Sequence, residues 1–372
     1  MTALLIFIVS VLLSTGFVAL ILKLSHSKGW YDHVNSRKVH TGSIPRLGGI
    51  GFALAFFVIT TAIGIAYGIS GVNIFRYLPC AAAMIIALVS GAYDDFRPML
   101  PRNKFILQLI AAICVVMAGF DFERLLYFGG GYLTNLNWLK YPITILWIIG
   151  ISNAVNLIDG IDGLAGGISA IIAFFLALIF FSFAGVSKSV LLCISLFGVL
   201  IGFLIFNLPF PKAKIFMGDS GSQFLGLTLA LLPLMKENNN HSSLPVLYVA
   251  ALFAIPIFDT TAAVWRRLRD KRKISDPDKS HLHHKLLHLN LSVPKVLAVL
   301  YILQIIIGIL IFASVRISIS ADKIISLDNN IFSLIILGAA YFIIIAFFIT
   351  IHFLNRANKK KNPSLYANNA ET

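Results

Sequence analysis

The sequence predicts an all-α, polytopic integral membrane protein of about eleven transmembrane helices, with its amino terminus outside and its carboxyl terminus in the cytoplasm. Three observations predict it. Of 372 residues, 58% are hydrophobic and only 12% charged, and the mean hydropathy of +0.87 leaves too little polar surface to coat a soluble globule. Apolar runs of about twenty residues, the length that crosses hydrocarbon, recur from end to end. The basic residues are also sorted between alternate loops. Of the 30 Lys and Arg, only Arg76, Arg124, Lys140, Lys188, Lys236, Arg316 and Lys323 fall on one side. The other side holds the remaining 23, including Lys28, Arg37, Lys38, Arg46, Arg97, Arg102, Lys104, the Arg266 to Lys295 segment and Lys359, Lys360 and Lys361, which makes it cytoplasmic.

Taken in order, the helices are expected to start near residues 3, 47, 75, 105, 141, 163, 189, 221, 244, 296 and 331, the fourth and eighth being short or interrupted. The first apolar stretch, Ala3 to Ile21, has no basic segment before it and no small-residue cleavage site after it, so it is expected to remain as a helix. Residues 1–354 are expected to form one polytopic membrane domain, with cytoplasmic loops near 23–46, 93–104, 153–163, 208–220 and 265–295. Residues 355–372 form a basic cytoplasmic tail attracted to anionic membrane lipid. The net charge of +14 is explained by this topology and calls for no nucleic-acid partner. Cys80, Cys114 and Cys193 lie in apolar runs without CxxC spacing and read as small packing residues.

The acids are distributed unevenly. Asp94 and Asp95 in GAYDDFRP, Asp159 and Asp162 in NAVNLIDGIDGLAGG, Asp219 in FMGDSGSQFLG and Asp259 in PIFDTT all fall at helix ends on the cytoplasmic side. Ionisable groups at membrane depth are costly and mark a water-accessible cavity. Clustered carboxylates need a cation, and the loops around Asp94, Asp159 and Asp219 offer little local Lys or Arg. Hard oxygen donors without Cys favour Mg2+ (or Mn2+) and point to phosphoryl chemistry. Taken singly, each Asp is as well read as a helix cap or turn residue.

Gly160, Gly163, Gly166 and Gly167, with Gly218 and Gly221, open two helices whose backbone N–H groups suit anions, although no P-loop is present and Gly166 and Gly167 read better as helix-packing residues. In the longest cytoplasmic loop, His281, His283 and His284 follow an Asp-Pro-Asp turn and supply imidazoles for phosphate contact or proton transfer. Before the second helix, HTGSIPRLGG places His40 and Arg46 where Arg46 can meet an anion.

In this order, HTGSIPRLGG, GAYDDFRPMLPRNKFILQ, NAVNLIDGIDGLAGG, FMGDSGSQFLG and DPDKSHLHHKLL resemble the polyprenyl-phosphate N-acetylhexosamine-1-phosphate transferase family (glycosyltransferase family 4) over residues 37–288. The His-Leu-His-His form is similar to the branch that uses UDP-N-acetylglucosamine rather than the phospho-MurNAc-pentapeptide branch. The resemblance implies an inner-membrane enzyme of bacteria, working at the cytoplasmic face and starting cell-surface glycans such as O-antigen, teichoic acid or another wall polymer. It would move sugar 1-phosphate from a UDP-N-acetylhexosamine, GlcNAc first, to undecaprenyl phosphate, with UMP released. It implies Asp219 as a magnesium ligand assisted by Asn156, and Asp94 and Asp95 beside the lipid phosphate. Phe216 would lie on uracil, with Asn153 and Arg46 at the substrates. His281, His283 and His284 would sit near the diphosphate, and Asp159 and Asp162 in the nucleotide loop. The Asn207 to Phe216 run is longer than the family's usual one, so no role is carried over to Asn207. Direct attack and a covalent aspartyl-phosphate remain alternative routes. Self-association as a homodimer is left open. A secondary transporter is the rival from another class, but transporter sites usually lie at the bilayer midplane. A CDP-alcohol phosphotransferase lacks its expected DGxxAR segment around Asp159.

Overall fold

The structure is a computed structural model that describes residues 1–31, 44–66, 71–122, 127–128, 131–132, 138–210, 212–235, 244–276, 278, 280–319 and 330–361. His40 and the topology markers Arg37, Lys38, Arg124, Lys236 and Lys323 lie outside the described residues.

The described chain is helical apart from a two-stranded antiparallel hairpin, Tyr127–Phe128 with Gly131–Tyr132. Its helices are α1 (Thr2–Lys28), α2 (Gly48–Ala66), α3 (Gly71–Phe96), α4 (Pro101–Met117), α5 (Lys140–Ile158), α6 (Leu164–Ala184), α7 (Lys188–Asn207), α8 (Gly218–Leu231), α9 (Val246–Leu252), α10 (Ala254–Arg269), α11 (Leu282–His288), α12 (Val293–Ser318) and α13 (Ile331–Lys361). A helix stands at each of the eleven expected starts. Eight are long and apolar enough to cross a membrane, or nine if α9 and α10 count as one bent span. The α4 helix has 17 residues and α8 has 14, so the count of eleven depends on how these short helices are read.

The innermost helix is the short α8. Every residue from Gly218 to Leu231 except Asp219 is buried, with α2, α3 and α5 packed around it. Small residues permit this closeness. A Cβ at Gly49 would overlap the Gly221 backbone, and one at Gly226 would meet Ser152. The indole N–H of Trp147 on α5 donates to the Ala230 carbonyl of α8 at 3.0 Å. In this way α8 is held by neighbours on all sides while its first turn points to one end of the bundle.

The ninth expected span is two helices, α9 and α10, meeting at 83° around Phe253. Pro256 is the cause, since it has no N–H for the carbonyl of Leu252 and its ring crowds that turn. The buried Gln304 amide of α12 donates to the Leu252 oxygen at 2.9 Å, satisfying the group that the proline frees. The α13 helix runs on to Lys361, through the first residues of the expected tail.

Candidate active site

The α3 helix ends at Asp94, Asp95 and Phe96, and Pro98 and Pro101 force the chain to turn. The Asp94 carboxylate closes that turn by accepting the Met99 N–H at 2.6 Å, and Pro101 then opens α4. Three residues into α4, Lys104 comes back onto Asp94 as an ion pair and lies 3.9 Å from Asp219. The Asp94 and Asp219 carboxyl groups are themselves within hydrogen-bonding reach of each other.

Asp219 occupies the first turn of α8, a helix with no side-chain cap of its own. Asp95 supplies the cap from α3. Its two carboxylate oxygens accept the N–H groups of Asp219 and Ser220 at 2.8 and 2.9 Å, and its side chain is only 1% exposed. Gly218, at φ 74°, makes the turn into the helix, where a Cβ would overlap the Arg46 carbonyl. Beside it, Phe216 donates to the Pro45 carbonyl at 2.8 Å, and Gly48 and Gly49 donate to the carbonyls of Phe216 and Met217 at 3.0 and 2.9 Å. That short backbone pairing holds the Arg46 guanidinium 3.9 Å from Asp219 and 4.0 Å from Asp95. Phe216 is half-buried at the edge of this pairing.

From α5, the Asn156 amide donates to Asp219 at 2.7 Å and to Ser222 at 2.8 Å. Asn153, one turn earlier, is engaged with Gln108 of α4, giving one hydrogen bond at 2.8 Å and accepting one at 3.4 Å. Its amide therefore fixes the helix that carries Lys104. Asp159 and Asp162 follow in the turn between α5 and α6. Burial first, then the charges of Asp219, Asp162 and Asp95, pushes the Asp159 carboxyl up to about 8, against the pull of Arg46.

The histidines reach the same turn. Asp259 of α10 caps α11 by accepting the Leu282 N–H at 2.8 Å and binds His281 Nδ1 at 2.9 Å. His283 lies against Gly160, where a Cβ would overlap its ring, and its buried Nε2 has no hydrogen-bond partner among the described residues. Burial, with the neighbouring imidazoles, pushes His283 down to about 3 and His284 to about 4, so both are neutral at pH 7. Arg266 closes the loop on Asp278 at 2.6 Å.

Asp94, Asp95, Asn156, Asp219 and Arg46 thus form one cluster. Asp159 lies within its field, Asp162 acts on Asp159 in the same turn, and the histidine helix abuts that turn at Gly160. Asn153 stands behind the cluster. Among the described residues, no three His, Cys, Asp or Glu side chains are arranged to enclose a metal ion. Magnesium does not require that, since it takes one or two carboxylates and completes its shell from phosphates and water. Asn156 Oδ1 accepts no hydrogen bond among the described residues, and it and the Asp219 carboxylate are both half-buried, so these hard oxygens suit such an ion.

Several site-forming residues carried no function in the sequence reading. By its loop position Lys104 reads as a topology marker, although a lysine in a helix's first turn opposes the helix dipole and so signals a carboxylate partner. Asn207 is buried and clamps two loops. Its oxygen accepts the Gly163 N–H and its amide donates to the Ile215 carbonyl, each at 2.9 Å. Tyr301 donates to the Gly163 carbonyl at 2.5 Å and packs on Gly167, and nothing in its apolar helix marks it.

The chain is similar in sequence to several known proteins. The profile described as Glycosyl transferase family 4 matches residues 77–237, from α3 to just past α8. A Bacillus subtilis protein described as a probable undecaprenyl-phosphate N-acetylglucosaminyl 1-phosphate transferase is 36% identical, over 82% of each chain. Proteins described as undecaprenyl-phosphate alpha-N-acetylglucosaminyl 1-phosphate transferases from Escherichia coli K12 and Yersinia pestis are 31% and 29% identical, each over 73% of both chains.

Proposed function

The chain belongs to glycosyl transferase family 4, whose members use magnesium, and from that premise we propose that it transfers GlcNAc 1-phosphate from UDP-GlcNAc to undecaprenyl phosphate. An oxygen of the lipid phosphate attacks the β-phosphorus of the UDP-sugar. The bond to the α-phosphate breaks, UMP leaves, and lipid-diphosphate GlcNAc remains to start a cell-surface glycan. The observation that carries this reading is the setting of Asp219, which meets Asn156, Lys104, Arg46 and the Asp95 cap from four separate stretches of chain.

Two anionic reactants repel each other, so the site must neutralise charge and align them. Asp219, with Asn156 oxygen beside it, would hold magnesium, which when bound offsets the diphosphate charge. Lys104 and Arg46 receive the lipid phosphate, and Asp94 positions Lys104 and accepts any residual proton. Asp95 does not act as the base, because both of its oxygens already serve α8. Phe216 lies under uracil, and the neutral His283 and His284 contact the nucleotide side across Gly160, with Asp159 and Asp162 shaping that loop.

The α4 and α8 helices complete eleven crossings when read as short spans, the 17 residues of α4 covering about 25 Å. With the basic loops inside, the site faces the cytoplasm of a bacterial inner membrane. The test is mass spectrometry of the lipid formed by purified protein from undecaprenyl phosphate and a panel of UDP-sugars. Lipid-diphosphate GlcNAc is expected. Solute counterflow in vesicles without any lipid product would replace this reading with transport.

A further inference from the structure

At the end of the bundle away from the carboxylates, α2, α3, α7 and the end of α8 enclose a cavity of about 630 Å³, within the usual range for small-molecule sites. Its walls are apolar, with Phe56, Met84 and Leu231 among them, and Ile65 and Leu78 at its rim are exposed. Among the described residues one cation, Lys188, lines it. Lys188 opens α7, whose other end carries Asn207 at the active site, so about 30 Å of helix separates the two. Lys188 is half-buried and has no carboxylate within ion-pairing distance among the described residues.

An ammonium group beside an apolar cavity in a membrane is costly unless an anion joins it. We infer that this cavity binds one acyl chain of an anionic phospholipid from the leaflet remote from the active site, with the lipid phosphate at Lys188. The polyprenyl substrate fits less well, because its own phosphate belongs beside Arg46 and Lys104 at the opposite end. A bound chain fills the space between α2 and α3 and braces the outer end of α8, whose inner end carries Asp219. The preference for a phospholipid over the polyprenyl substrate rests on the transferase reading, but the readout, lipid retention, is independent of turnover.

The test is native mass spectrometry of the full chain released from bilayers of equal phosphatidylglycerol and phosphatidylethanolamine. The wild type is expected to retain one phosphatidylglycerol. Lys188→Gln should lower that retention about fivefold, and Lys188→Arg should keep it. Ala81→Phe, or Thr60→Phe should that variant fail to fold, should expel both lipids by filling the cavity. Retention of phosphatidylglycerol by Lys188→Gln and the cavity-filling variant at the wild-type level would overturn the inference. So would equal retention of the two lipids by the wild type, or polyprenyl phosphate held in their place.

Discussion

Asp95 holds Asp219 by its backbone: the carboxylate at the end of α3 accepts the N–H of Asp219 at 2.8 Å and that of Ser220 at 2.9 Å. A buried acid on one helix thereby fixes the first turn of another, and the Asp219 side chain is aimed by the turn that results. Asp259 does the same for α11 through the Leu282 N–H. Two short site helices are capped by acids from neighbouring helices, which gives both caps a direct link to site geometry.

Asp95→Asn should therefore cost stability as well as activity. An amide can accept only through its oxygen, so one α8 N–H would face an NH2 group. A loss of about 1–3 kcal/mol is expected, measured as a lower unfolding temperature in detergent together with reduced turnover. Reduced turnover with unchanged stability would instead mark Asp95 as a base.

Lys104 lies between Asp94 and Asp219 and keeps the two carboxyl groups together. Lys104→Met should lower kcat by about a hundredfold, roughly 2.7 kcal/mol of barrier, while Lys104→Arg retains more. Steady-state kinetics at saturating magnesium checks this, and near-normal kcat in Lys104→Met would remove the residue from the site.

Asn207→Ala removes the clamp between the Gly163 turn and Ile215, leaving a buried N–H and C=O unpaired. A loss of about 1–3 kcal/mol per unpaired group is expected. Thermal unfolding measures it, and an unchanged unfolding temperature would show that the two loops hold themselves.

His283 and His284 are depressed to about 3 and about 4, below the ordinary histidine value that the unfolded chain restores. Between roughly pH 6.5 and those values the unfolded state binds more protons, so stability is highest above pH 6.5 and falls as pH drops, by up to about 1.4 kcal/mol per pH unit for each histidine. Unfolding temperatures from pH 8 to 5 should show this decline, and His283→Gln should flatten it. An equally steep decline in that variant would place the acid sensitivity elsewhere.

The carboxylates were legible in the sequence because an apolar chain has little reason to carry acids at its helix ends, and five motifs kept their order. Their partners were harder to read. By sequence alone Lys104 is one more interfacial cation and Tyr301 an ordinary member of an apolar helix, while the long run from Asn207 to Phe216 withholds a role from Asn207, since a contact across many residues leaves no local trace. The bend at Phe253 did leave one in Pro256, but an apolar run hides a break when only its length is read. Asp95 and Asp94 are adjacent and identical in type. Only packing distinguishes the one that caps α8 from the one that pairs with Lys104.

Under the proposed function, separate stretches of chain aim Asp219 into a single cation-dependent pocket. Magnesium titration of lipid-linked GlcNAc formation by Asp219→Ala, in protein shown to be folded and inserted, tests it most directly. No product is expected at any magnesium concentration, and near-normal magnesium-dependent turnover would contradict the proposed role of Asp219.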